Sequence, residues 1–209
     1  MYLSRIPLDI SKRKTQTALA SPNQLHGAVE EAFSEKQSRN LWRLDTVRGK
    51  TYLLILSKEK PNLAYIAAQF GNVESPGETK EYDRLLARIE EGSVWRFRLV
   101  ANPVRSVSQS AGRGKVTAHT AERFQLEWLN RKAEKGGFCI LSDAVCITEC
   151  VWKIFRKQKE KKEVRILSVT FEGKLRVADV ELFKNTLLQG IGREKAYGMG
   201  LLTVAGTGD

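Results

Sequence analysis

Ser21-Pro-Asn-Gln-Leu-His-Gly-Ala-Val-Glu-Glu-Ala-Phe33 is followed, after a short polar stretch, by Leu41-Trp-Arg-Leu-Asp-Thr-Val47. Across Arg48-Gly49-Lys50 comes Thr51-Tyr-Leu-Leu-Ile-Leu56. The first segment predicts a helix. Ser21 stands at an N-cap position with Pro22 next and Gln24 at N3, a capping-box start. Leu25, Ala28, Val29, Ala32 and Phe33 share one face. The next two segments alternate and predict a hairpin turning at Arg48-Gly49-Lys50. Working outward, Tyr2–Leu8 reads as a strand before this helix. Beyond the hairpin, Pro61–Phe70 reads as a short helix and 79–91 as a second one, with Tyr82, Leu85, Leu86 and Ile89 inward and Gly92 as the stop. Val94–Ala101 reads as the strand that closes the unit. The order predicts one β-α-β-β-α-β, ferredoxin-like unit.

The second half repeats the scheme. A helix is expected over 121–135, strands over 138–141, 144–155 and 164–171, a helix over 178–188 near Asp179, and a last strand over 201–205. The Ser/Gly-rich, basic stretch 105–115 reads as an exposed loop or linker. The expected fold class is therefore α+β, two tandem ferredoxin-like (RRM-like) βαββαβ domains over residues 1–105 and 106–209.

With 35 Lys and Arg against 24 Asp and Glu, the 209-residue chain carries a formal net charge of +11. Such an excess points to a polyanionic partner, nucleic acid or an anionic membrane. No stretch approaches the roughly 18 apolar residues of a membrane span, and the N-terminus lacks the apolar core of a signal peptide. A cytoplasmic protein is expected. Cys139, Cys146 and Cys150 lack a CxxC spacing and are expected to be buried thiols rather than a disulfide or zinc site. Two histidines, with no HExxH, leave little for a metal; neither metal nor cofactor is expected.

Two local features stand out. Lys153–Arg165 holds seven basic residues in thirteen, with Lys157–Glu163 as the expected hairpin tip. A solvated edge that discourages strand pairing would explain a few of these lysines rather than seven basic residues. The other is Gln189-Gly190-Ile191-Gly192-Arg193-Glu194-Lys195-Ala196-Tyr197-Gly198-Met199-Gly200. It matches neither GxGxxG nor a P-loop. Paired glycines let backbone N–H groups approach a phosphate, and Arg193 and Lys195 add charge. A tight helix-to-strand connection needing positive φ explains the same glycines equally well.

Taken together, several segments resemble one family. They are Met1-Tyr-Leu-Ser-Arg-Ile-Pro-Leu8, Leu25-His26, Phe97-Arg-Leu-Val-Ala-Asn-Pro103, Trp128-Leu129-Asn130-Arg131-Lys132 and Phe171-Glu-Gly-Lys-Leu175. The glycine loop continuing into Leu201-Leu202 completes the set. The chain resembles the CasE family, the repeat-RNA endoribonucleases of type I-E CRISPR (Cascade) systems, over essentially its whole length. The resemblance implies two ferredoxin-like domains and a metal-independent RNase that cuts CRISPR precursor RNA at the 3′ base of the repeat stem-loop. It implies 2′-OH attack on the adjacent phosphate, a 2′,3′-cyclic phosphate product, and retention of the guide hairpin beside other Cascade subunits. A monomer when free is expected.

On this resemblance His26 matches the catalytic histidine, and imidazole can give or take a proton near neutral pH. His119 has no such support and is expected to be structural or exposed. The basic run matches the hairpin that enters the repeat stem, with Arg156, Lys157, Lys159, Lys161 and Lys162 as its expected RNA contacts. Gly190, Gly192, Arg193, Lys195, Gly198 and Gly200 are the expected loop contacts. Two positions depart from the family. Asn23 stands where the family carries Tyr, three residues before the histidine; an amide can donate to a phosphate oxygen but cannot transfer a proton. Gly114-Lys115-Val116 stands where the family often has Gly-Lys-Arg. The first departure keeps open a non-cleaving stem-loop RNA-binding protein of the same fold, and makes a basic partner for His26, first among Lys12, Arg13 and Lys14, worth seeking. A generic basic RNA-binding protein is the third reading.

Overall fold

In the computed structural model, which describes residues 1–34, 40–107, 115–156 and 163–208, the first sheet contains four strands. They are Tyr2–Pro7 (β1), Leu41–Val47 (β2), Lys50–Ser57 (β3) and Glu78–Glu81 (β4). Their spatial order is β2-β3-β1-β4, and every neighbouring pair is antiparallel. The helices Arg13–Ala20 (α1), Pro22–Glu31 (α2) and Leu63–Phe70 (α3) lie between them in sequence. This is the ferredoxin-like arrangement.

Register explains the core. Ile6 faces Leu53, and Trp42 faces Ile55, so these four side chains share one face of the sheet. They form a buried cluster with Leu25, Ala28 and Val29 of α2 and Ile66 and Phe70 of α3. The hairpin turn is as the sequence predicts. Arg48 and Gly49 both have positive φ, 50° and 75°, the two-residue turn whose twist matches paired strands. The capping box at Ser21 does not form: its side chain makes no cap hydrogen bond and donates instead to Asn23 Oδ1 at 2.6 Å. A cap contributes about 1 kcal/mol, whereas burying Leu25 completely contributes about 1.5–3 kcal/mol. Packing, rather than a side-chain cap, fixes where the helix sits.

The second sheet has the same order with its own strands. Val94–Ala101 (β5) lies between Glu163–Val177 (β9) and Leu202–Gly206 (β10), with Phe138–Arg156 (β8) outside β9. The helices Glu122–Lys135 (α5) and Val180–Gln189 (α6) pack on it through Trp128, Leu129, Phe183 and Leu187. Asp179 caps α6, accepting from Leu182 N–H at 2.9 Å. Val104–Val107 (β6) and Lys115–Ala118 (β7) form a separate two-stranded ribbon. The expected loop over 105–115 is thus partly paired, and its residues 108–114, Gly114 among them, lie outside the described residues.

Five expectations are corrected. The division at residues 105 and 106 does not match the compact units. One unit holds Met1–Arg88, with Phe155, Arg156, Glu163 and Lys195–Leu201; the other holds Ile89–Ile154, Val164–Glu194 and Leu202 onward. Val94–Ala101 is the first strand of the second sheet, where Leu99 and Ala101 are fully buried. The first sheet is closed instead by Glu78-Thr-Lys-Glu81, a polar edge strand without the alternation that marks a half-buried one. Only Asp83–Leu86 (α4) of the expected helix 79–91 is α-helical. Next, 138–141 and 144–155 are one continuous strand. Finally, the three cysteines are free but exposed, because the outermost strand β8 is open to solvent along much of its length.

Candidate active site

His26 sits one residue beyond the buried anchor Leu25. At 100° per residue that places it at the border between core and solvent. Its side chain is 39% exposed, yet Nδ1 is shielded from solvent and has no hydrogen-bond partner among the described residues. The exposed part of the ring is therefore the remainder, which includes Nε2. Nδ1 lies 4.0 Å from Glu30 Oε1, one turn on, so a protonated ring gains an ion-pair partner behind it. That arrangement suits an imidazole exchanging a proton at its outer nitrogen.

Asn23, three residues earlier, shares this helix face. Its Oδ1 accepts the Ser21 hydroxyl, leaving the amide N–H groups available as donors. Lys12 and Lys14 are engaged elsewhere: Lys12 Nζ donates to Gly71 O at 2.5 Å, and Lys14 Nζ to Gln69 Oε1 at 2.7 Å. Both thus reach the end of α3, each through one of the three donors of its ammonium.

The glycine loop supplies the other wall. A 3-10 turn, Lys195–Tyr197, packs against α2 and β2 within the first unit. Arg43 Nη1 donates to Leu201 O at 2.8 Å and ties the loop's end to β2. Tyr197 meets Phe155 edge to face, ring centroids 4.9 Å apart. Phe155 and the exposed Arg156 end β8, at the root of the basic run. The His26 helix, the end of the glycine loop and that root thus belong to one unit. Lys157, Lys159, Lys161 and Lys162 lie outside the described residues. Gly190, Gly192 and the exposed Arg193 belong to the other unit.

The glycines answer a steric demand. Gly190, Gly192, Gly198 and Gly200 all have positive φ. A Cβ on Gly198 would lie 2.6 Å from the Trp42 ring, and one on Gly192 would lie 3.1 Å from Trp128. Gly198→Ala should therefore cost about 2–4 kcal/mol, left-handed strain plus overpacking, because Trp42 is locked in the core. Urea unfolding of the variant checks this; an unchanged midpoint would mean that the turn is not seated on Trp42.

Sequence reasoning passed over a second basic surface. Arg131, Lys132 and Lys135 of α5, with Arg105, line a cleft of about 370 Å³ over Trp128, and among the described residues no carboxylate lines it. Lys132 Nζ stands 5.8 Å from the Trp128 ring centroid. The signal was present as helical spacing: positions 128, 131, 132 and 135 recur at three and four. His119 is buried, 8% exposed, rather than exposed. Burial, then the charges of Arg105 and Arg131, hold its imidazole below the usual range. Among the described residues no three His, Cys, Asp or Glu side chains group as metal ligands, and no helix is long and apolar enough to cross a membrane.

Two sheets of 4-1-3-2 order, with a histidine helix against a glycine-rich turn and a basic cleft on α5, define a tandem ferredoxin-like protein with one accessible histidine. The model of a family described as CRISPR associated protein matches residues 1–206. The CRISPR-associated endoribonuclease Cse3 of Thermus thermophilus is 32% identical over 98% of this chain and all of its own. The structure of that organism's Cse3 bound to an RNA representing a pre-cleavage complex superposes with a TM-score of 0.82 at 28% identity, covering 98% of each chain. A chain of a CRISPR RNA-guided surveillance complex, pre-nicking, matches with a TM-score of 0.73 at 25% identity, over 99% of this chain and all of that one. This chain belongs to the CRISPR-associated protein family, in its CasE (Cse3) branch.

Proposed function

We propose that this chain is a metal-independent endoribonuclease that cuts CRISPR precursor RNA at the 3′ base of the repeat stem-loop. The observation that carries the reading is His26, half-exposed on α2, with the glycine-loop turn packed against its helix and Glu30 behind its ring. The nucleotide's 2′-oxygen attacks the adjacent phosphorus as its proton departs. The bond from phosphorus to the 5′ oxygen breaks, and that oxygen takes up a proton. The products are a 2′,3′-cyclic phosphate and a 5′-OH. His26 performs one of these two proton transfers through its outer nitrogen, and the Asn23 amide donates to a phosphate oxygen. Arg156 with Lys157, Lys159, Lys161 and Lys162, together with the α5 cleft, grips the A-form stem through its phosphates. Gly190, Gly192, Arg193, Lys195, Gly198 and Gly200 form the loop beside the bound strand. The protein works in the cytoplasm, is a monomer when free, and keeps the cut hairpin as a Cascade subunit.

Incubation with cognate repeat RNA in EDTA tests this: cleavage to a cyclic-phosphate end is the expected result. Tight binding without cleavage would instead favour the non-cutting stem-loop binder, which Asn23 in place of the family's Tyr keeps in view. Binding with no hairpin preference would mark a generic RNA-binding protein.

Asn23→Tyr should raise single-turnover cleavage on the order of tenfold. One hydrogen bond to a charged group is worth about 1.5–3 kcal/mol at most, and about 1.4 kcal/mol is a decade in rate. Unchanged rates in both Asn23→Tyr and Asn23→Ala would reduce position 23 to a helix-start residue.

A further inference from the structure

β5 and β9 are inner strands of the second sheet, each hydrogen-bonded on both sides. Trp95, Phe97, Phe171 and Leu175 share one face and are buried; Phe171 stacks there with Trp128 of α5. The alternate residues therefore share the opposite face. On that face Arg98 is opposite Glu172, and the two form an ion pair. The next rung has no such match: Arg96 is opposite Lys174. One rung further, Arg176 is opposite Val94. Arg96, Lys174 and Arg176 are all exposed. Arg96 Nε donates to Gly206 O at 3.2 Å, and among the described residues none of the three forms an ion pair. The neighbouring carboxylates are engaged elsewhere. Glu172 holds Arg98, and Glu149 lies beside the Thr170 hydroxyl at 3.4 Å. Asp143 precedes the β8 residues that lie against Gly173, and it pairs with none of the three. On the β10 side Arg96 is opposite the small, exposed Ala205, so no bulky side chain walls off the cluster there.

We propose that this cluster is a further RNA-binding site, which takes the phosphodiester backbone of a single strand outside the repeat stem. It rests on the reading of this chain as a processor of precursor RNA. Like charges directly opposite each other destabilise a sheet, and the rung at Arg98 shows that the same two strands accommodate an acid–base match. Arg96 against Lys174 is thus a strain on the free protein that a bound polyanion relieves. A nucleic acid fits better than a peptide, because inner strands have no free N–H or C=O edge to which another strand could add. Lys174 and Arg176, two apart on β9, are about 6.6 Å apart, a spacing that successive phosphates of one extended strand match. A flat sheet face has nothing to enter the groove of a duplex. Contacts of this kind read backbone charge rather than base sequence.

The test compares the full chain with a triple variant, Arg96→Gln, Lys174→Gln and Arg176→Gln. Each is titrated with a labelled eight-nucleotide oligouridine and with the bare repeat stem-loop over a range of salt. For oligouridine the variant should flatten the slope of log K against log salt by about 2, three contacts at about 0.7 each on a single strand. Its affinity at low salt should fall on the order of tenfold or more. Affinity for the bare stem-loop, and its cleavage, should match the parent. Equal oligouridine slopes in parent and variant, or an equal loss for the stem-loop, would each overturn the proposal. So would displacement of oligouridine by octaglutamate from the parent alone, which would make the partner an acidic peptide. Failure of both proteins to cut the stem-loop would count against the endoribonuclease reading, and the oligouridine slopes would still decide this one. Lys174→Glu supplies a second measurement. It turns the rung into an acid–base pair, so it should raise the thermal midpoint while weakening oligouridine binding. A lowered midpoint would mean that Lys174 serves the fold, against the proposal.

Discussion

His26→Ala is expected to lower single-turnover cleavage of the repeat RNA by about 10²–10⁴, the usual contribution of a positioned general acid or base. Stem-loop affinity should stay within roughly twofold, because one half-exposed imidazole makes few of the contacts that hold a stem. Glu30 stands behind the ring at 4.0 Å and becomes an ion-pair partner only when the ring is protonated. Glu30→Gln should therefore lower the cleavage rate by less than His26→Ala does, while leaving binding alone. Cleavage of the alanine variant at the parent rate would remove His26 from the mechanism. A parallel loss of binding would recast it as an RNA contact.

Reversing charge at Arg131, Lys132 and Lys135 together should have the next largest effect. Each phosphate that is no longer neutralised takes about 0.9 from the slope of log K against log salt on a duplex. Three cations on one rigid helix would, once reversed, flatten that slope by roughly 2–3. Binding should fall by orders of magnitude at low salt and differ much less at high salt. The substitutions also oppose the α5 dipole, since Lys132 and Lys135 lie in its last turn. That effect is worth about 0.3–1 kcal/mol, so thermal unfolding of the free protein should change only modestly. The neutral Gln triple variant separates the two causes: it flattens the slope with little effect on the dipole. Equal slopes in parent and both variants would mean that this cleft touches no RNA.

Each element with a strong periodic face was legible in the sequence. The α2 helix, the hairpin turning at Arg48-Gly49, α5 and α6 all lie where spacing put them, because local burial and turn chemistry are written in neighbouring residues. Two kinds of element were not. Arg13–Ala20 is a helix that buries only Thr15 and Ala18, too little apolar surface to show a period. Glu78–Glu81 is a strand made of polar residues, held by the backbone of β1, and no side-chain pattern announces it. Missing that edge strand handed its place to Val94–Ala101, and with it went the boundary between the halves.

His26 stands out by motif and chemistry before any geometry, and the two glycine-loop readings differ only in what the glycines are for. Tertiary structure supplied the reason at two of them: Gly192 and Gly198 lie where a Cβ would strike Trp128 and Trp42. It also set the end of that loop, some 170 residues away by sequence number, against the His26 helix, and brought Lys12 and Lys14 to the end of α3. The sequence by itself determined two βαββαβ repeats, a basic protein and one histidine worth testing, since periodicity, composition and motif are local properties. Which strand closes which sheet, and which distant segment shares a unit with His26, only the tertiary structure decided. Those are long-range pairings, made by backbone hydrogen bonds and packing between residues with no mark of their partners in the chain around them.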